Sequence, residues 1–126
     1  MTEKTKSGTQ DLEAKIPAVI LPDGYCGKIL LILIICGESR MLALRSGDLW
    51  HREILRNARA EMTGRGLGDV RVEAMGGAYL RFDEDGAIRI WGSSQEFGAC
   101  DLECAAALVR AARPGCRVVV SAGEAA

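Results

Sequence analysis

Histidine is nearly absent from this chain: His51 is the only one in 126 residues. That argues against an imidazole-rich metal centre, and it leaves one candidate for any step that needs a base near neutral pH. The five cysteines, Cys26, Cys36, Cys100, Cys104 and Cys116, show no paired spacing of the metal-ligand kind. An odd number so placed fits reduced, partly buried thiols in a cytoplasmic protein better than a disulfide framework. A basic run is also missing. With a formal net charge of −1 there is no electrostatic case for nucleic acid. No apolar stretch approaches the about 20 residues of a membrane span. The most apolar run, Ile29 to Cys36, has eight residues, lacks the placement and cleavage site of a signal peptide, and reads as a buried strand. There is no G-x-S-x-G nucleophile elbow. Cys36-Gly37-Glu38-Ser39-Arg40 puts only three residues between its cysteine and arginine, and Cys36 is expected to finish a buried strand, so a thiol phosphatase loop is disfavoured.

What is present is enough for one domain with a real core. Residues 1–15 are polar and charged without an apolar period, and a flexible tail is expected there, followed by a single domain over 16–122 and a flexible 123–126. Ile16 to Pro22 is a short extended segment, and Pro22-Asp23-Gly24 a turn. Lys28 to Cys36 is too uniformly apolar to face water on either side, which marks a central strand covered on both faces. Arg40 to Arg45 is its hairpin partner. Ser46 or Asp48 is the expected cap of a helix running to about Thr63, ended by Gly64-Arg65-Gly66-Leu67-Gly68. Three strands should follow: Asp69 to Met75, a tight bend at Gly76-Gly77, Ala78 to Phe82, an Asp85-Gly86 hairpin turn, and Ala87 to Trp91. The glycine-bounded loop 92–98 leads into a second helix with the stripe Leu102, Ala105, Ala106, Val109 and Ala112, and Cys116 to Ser121 is the last strand. The expected fold is therefore α/β of the α+β type: one mixed six-stranded sheet with a helix on each face, in the order ββα-βββ-αβ.

Two loops precede helices, so both can present unpaired backbone donors to an anion. One carries Leu49-Trp50-His51-Arg52-Glu53-Ile54; the other is 92–98. Lys28, whose head can reach the sheet's end, and Arg45 are candidate cations for such an anion, although on the residues alone an ordinary strand-end lysine and a solvated arginine are the favoured readings. His51 also shares a helical arc with Trp50, Ile54, Leu55, Ala58 and Met62, the pattern of an ordinary core histidine. Asp83, Glu84 and Asp85 crowd a hairpin tip and read as solvated rather than as an acid–base pair.

From about Ile16 to Ser121 the sequence resembles the phosphohistidine phosphatase, or Janus/Ocnus, family. Four pieces carry the resemblance: Asp23-Gly24…Gly27-Lys28-Ile29-Leu30-Leu31-Ile32, Leu49-Trp50-His51-Arg52-Glu53-Ile54, Met75-Gly76-Gly77, and Ile88-Arg89-Ile90-Trp91-Gly92-Ser93-Ser94-Gln95-Glu96-Phe97-Gly98. It implies a mixed sheet between two helices and hydrolysis of phosphohistidine in proteins without metal or other cofactor. Under it His51 is the general base. The backbone N–H groups of His51 and Arg52, the Ser94 side chain and the Glu96 amide hold the phosphoryl oxygens, and Lys28 supplies positive charge; Arg45 is a further candidate for the phosphate. The implied partners are phosphohistidine-containing proteins, with no nucleic acid and no membrane, and the chain is expected to be a monomer. Two positions depart from the family pattern: Ala78 stands where an arginine is usual, and Glu96 replaces a small residue in the phosphate loop. They favour an alternative, a catalytically weak member that binds and regulates a phosphorylated partner. A thiol-rich structural domain with a buried His51 is the third possibility.

Overall fold

The computed structural model describes residues 12–47 and 50–121. Among the described residues, five strands form a single mixed sheet in the spatial order β2-β1-β3-β4-β5, made of β1 (Cys26–Cys36), β2 (Ser39–Gly47), β3 (Arg71–Phe82), β4 (Ile88–Trp91) and β5 (Val118–Ser121). Residues 12–15 belong to a first helix, α1; α2 spans His51–Gly64 and α3 spans Leu102–Ala112. All neighbours are antiparallel except β4 and β5, which run parallel across the α3 connection.

The six expected strands are thus five, and the order along the chain is α-ββ-α-ββ-α-β. The difference lies at Gly76-Gly77. Instead of turning the chain back, these glycines carry β3 straight on beside β1, which pairs Leu30 with Gly77 and Ile32 with Ala74. Met75 and Gly76 together face Leu31, so the strand holds a bulge. Gly76 adopts φ +115°, a conformation that side-chain-bearing residues avoid. A glycine pair inside a strand and one at a reversal look alike in sequence, and register decides between them.

Alternation along β1 feeds two cores. Ile29 and Leu31 join Ala78, Leu80, Ile88 and Ile90 beneath Ala105, Ala106 and Val109 of α3. Leu30, Ile32 and Ile34 point the other way, into a cluster with Ile54, Leu55, Ala58 and Met62 of α2. Ala112, expected in the α3 stripe, is exposed in the last turn. Residues 12–15, expected within the flexible tail, are helical, and Leu12 and Ile16 are buried in the α2-side core. The rest of the tail and residues 123–126 lie outside the described residues.

Arg45 ties three elements together. Its side chain is buried; Nε and Nη2 grip the Glu61 carboxylate on α2 at 2.8 and 3.0 Å, and further N–H groups donate to Leu44 O and Pro17 O. The extended segment after α1 adds a parallel bridge, Val19 to Leu44, along the outer edge of β2. Burial pushes the Glu61 carboxyl up, but its bonds with Arg45 and Arg65 outweigh this and hold it below its ordinary value of 4.5. A depressed carboxylate stabilises the fold above its unfolded pKa, and that contribution is lost as pH falls below about 4.5 through the folded value. Glu61→Gln should therefore lower stability at pH 7 and flatten the acid side of the stability profile. Urea unfolding from pH 7 to pH 3 measures this, and parallel profiles for parent and variant would exclude the effect.

Candidate functional site

Among the described residues, helix α2 begins without a cap from its own segment. Trp50 holds the N-cap position with extended backbone and no side-chain hydrogen bond. Ser46, one of the two expected caps, is part of β2, and its hydroxyl donates to Ile20 O; Asp48 lies outside the described residues. The first turn is capped from elsewhere in the chain. The Arg52 amide donates to Glu96 Oε1 at 3.1 Å, and Arg52 Nη1 to Glu96 Oε2 at 2.8 Å. A carboxylate thus sits on the positive end of the α2 dipole, 44 residues away in sequence. The loop that delivers it is stiff. Ser94 and Gly98 exchange backbone bonds at 3.1 and 2.8 Å, and the buried Ser94 Oγ accepts from the amides of Glu96 and Phe97 at 3.1 Å each.

His51 lies between this loop and the sheet. Its Nε2 is 3.2 Å from Ala78 O. A carbonyl only accepts, so Nε2 carries the proton and the neutral ring keeps its lone pair on Nδ1. The edge of Tyr79 meets the ring at a centroid distance of 5.9 Å. Below it is Gly77, where an added Cβ would fall 2.5 Å from His51 Cδ2 and 2.8 Å from Ser94 Cβ. Although only 3% exposed, His51 forms part of the wall of a cavity of about 210 Å³, with Lys28, Trp50, Arg52, Tyr79 and Glu96 around it. Larger hollows of about 360 and 530 Å³ lie beside Arg59 and Glu73 and at the Asp83–Asp85 turn, but neither contains a base poised at a helix start. The cavity at His51 is the chemically equipped one.

A model of the Janus/Ocnus family matches residues 14–116, which takes in every element that builds this cavity. The chain belongs to the Janus/Ocnus family. No curated protein matches it.

Four of the residues singled out from the sequence of this Janus/Ocnus protein meet at the cavity: Lys28, His51, Arg52 and Glu96. Lys28 Nζ stands 5.7 Å from the centre of the Tyr79 ring and makes no ion pair among the described residues. Ser94 lies behind the wall, where its hydroxyl braces the loop, and the Glu96 amide is spent on that brace. Arg45 is not brought to the cavity; its guanidinium is held by Glu61 and the backbone of residues 17 and 44. Tyr79 was not singled out from the sequence, and Gly77 was read only as part of a bend rather than as part of the site. The alternation of Tyr79 against buried Ala78 and Leu80 is the signal that would have placed Tyr79 on the His51 side of the sheet.

The thiols stand apart from this site. Burial pushes Cys100 up to about 11, so its reactive thiolate is scarce at neutral pH. No group of metal-binding side chains occurs among the described residues, and none of the described helices is long and apolar enough to cross a membrane.

Gly77→Ala tests the close approach that seats the ring. The new methyl should displace His51 and Ser94, cost about 1–3 kcal/mol of stability as overpacking does, and shift the His51 ring resonances. Thermal melts and proton NMR check this; unchanged His51 signals would show that the ring does not depend on Gly77.

Proposed function

We propose that this chain is a protein-phosphohistidine phosphatase-like hydrolase. The reading is carried by one juxtaposition: the only histidine stands on the wall of the cavity where the α2 amides and Lys28 converge. Such an arrangement suits a phosphoryl dianion held beside a base. In the proposed step a water oxygen attacks phosphorus while His51 Nδ1 takes the water's proton. The P–N bond breaks, its electron pair passes to the substrate imidazole, and that ring leaves once it acquires a proton. A phosphoramidate is reactive enough that positioning and charge stabilisation can serve without a covalent enzyme intermediate. The proposed partners are phosphohistidine-bearing proteins. A cytoplasmic setting fits five free cysteines, one of them the exposed Cys26.

His51→Ala should stay folded and lose roughly 10²–10⁴ in turnover, the usual worth of a positioned general base. Phosphate release from a phosphohistidine peptide, measured with chelator present and alongside a thermal melt, decides it. A folded variant that hydrolyses the peptide at the parent rate would remove His51 from the reaction. Loss of parent activity to the chelator would overturn the metal-free step.

One observation favours a second reading, that of a weakly catalytic binder of phosphorylated partners: Glu96 already occupies the Arg52 amide and guanidinium. Glu96→Ala should bind inorganic phosphate more tightly, by roughly tenfold or less given solvent screening. It should also lower stability by about 1 kcal/mol through the lost helix cap. Phosphate titration and melting of the same variant check both arms. Under the regulatory reading, tighter phosphate binding comes with no gain in hydrolysis; under the enzymatic one, hydrolysis rises with it.

A further inference from the structure

The sheet face that carries the His51 cavity is only partly roofed. Strand alternation puts Lys28, Tyr79, Arg81, Arg89, Trp91 and Ser121 on this face, because Leu80, Ile88, Ile90 and Val118 point into the α3-side core. The cluster under α2 takes no residue from β4 or β5, so the far half of the face stays open among the described residues. In that half a small cavity of about 30 Å³ is lined by Arg81, Arg89, Trp91 and Ser121.

Its chemistry is one-sided. Trp91 Nε1 and Arg89 Nε are both buried and lack a hydrogen-bond partner. Indole and guanidinium nitrogens can only donate, so an acceptor is their one possible partner, and since neither atom exposes surface an incoming one reaches them only as the side chains over them shift. Ser121 Oγ already accepts from Arg89 Nη1 at 3.3 Å. Asp83 takes Arg81 Nε at 2.8 Å and Arg89 Nη2 at 3.4 Å, so one carboxylate faces two guanidinium charges. Buried donors left unmatched are costly, and an anionic oxygen is their strongest partner. The space suits a carboxylate oxygen rather than a phosphate, and the neighbouring Asp83-Glu84-Asp85 turn repels a polyanion.

Position links this cavity to the first one. Trp91 stacks on Tyr79 at 6.0 Å, and Tyr79 in turn meets His51 edge-on at 5.9 Å. An extended peptide, rising about 3.3 Å per residue, covers that separation in about three or four residues. We propose that Arg81, Arg89, Trp91 and Ser121 form a carboxylate subsite for an Asp or Glu side chain of the protein substrate, about three or four residues from the phosphorylated histidine. The inference rests on the phosphohistidine reading of the His51 cavity.

The test uses peptides with one central histidine and either Glu or Gln four residues away. With the phosphorylated pair, kcat/KM should favour Glu by about three- to tenfold, the scale of one charge-assisted contact at a half-exposed site. Arg89→Gln and, separately, Arg81→Gln should bring that ratio close to one while hydrolysis of a small phosphoramidate is unchanged. Equal rates for the Glu and Gln peptides in the parent protein, with Glu placed on either side of the histidine, would overturn the subsite and leave the phosphatase reading standing. If no phosphoramidate is hydrolysed at all, that reading falls, and an activity-free measurement decides the subsite. The Trp91 indole N–H resonance, assigned with Trp91→Phe, should move on titration with the unphosphorylated Glu peptide and not with its Gln twin. Movement with both, or with neither, would overturn the proposal.

Discussion

The missing side chain at Gly77 is the constraint on which the candidate site depends. His51 and Ser94 come from opposite ends of the molecule's middle, one opening a helix and the other bracing a loop, and both rest against that bare stretch of backbone. Its neighbour Gly76 is just as tightly used, since a Cβ there would fall 2.6 Å from the backbone of Ala99 and Cys100. Close packing thus presses on the same bulge at both residues. A protein interior that is packed to crystal-like density passes such a constraint on. The histidine ring that opens α2 thus packs where β3 carries no side chain, beside the wall it shares with Arg52 and Lys28.

Much of this could be read from the chain, and what could not has identifiable causes. The uniform run Ile29–Ile35 announced a strand covered on both sides, and it is the strand that feeds both cores. Residues 51–52 and the loop 92–98 were legible as parts of one site, and His51, Arg52 and Glu96 do line one cavity, but the loop arrives there through its Glu96 side chain rather than through free amides. The strand count failed because it depends on whether Gly76-Gly77 reverses the chain or lets it run on, and that is settled by pairing with β1 far away in sequence. Arg45 looked like a free cation because its charge was weighed ahead of its period. Met41, Ala43 and Arg45 alternate inward together, which puts the arginine under α2. The Glu96 cap had no local signature at all, since helix-capping patterns are sought within a few residues of the helix.

Under the proposed function, stability and anion binding would be coupled at one atom pair, Arg52 N and Glu96 Oε1. An uncapped helix start is a liability in a small domain, and the Glu96 carboxylate removes it by satisfying an orphan amide at the positive end of α2. The same amide is what a phosphorylated ligand would use. Residues that serve function by leaving donors unsatisfied weaken the fold, whereas residues that satisfy them compete with the ligand. Asp101 shows the contrast at α3: its carboxylate caps the helix locally through Glu103 N and Cys104 N at 3.1 Å.

Because Glu96 is carried on a short braced loop, under the proposed function it would act as a tethered competitor whose local concentration does not fall on dilution. Groups joined by a short connection face their site at effective concentrations of about millimolar or higher. A free anion must exceed that figure, or bring contacts of its own, before it displaces the carboxylate. Simple ions make few additional contacts, whereas a phosphorylated protein surface can make many. Under the proposed function, the swing of one side chain would then set a threshold that filters ligands by how much surface they engage rather than by the charge they carry.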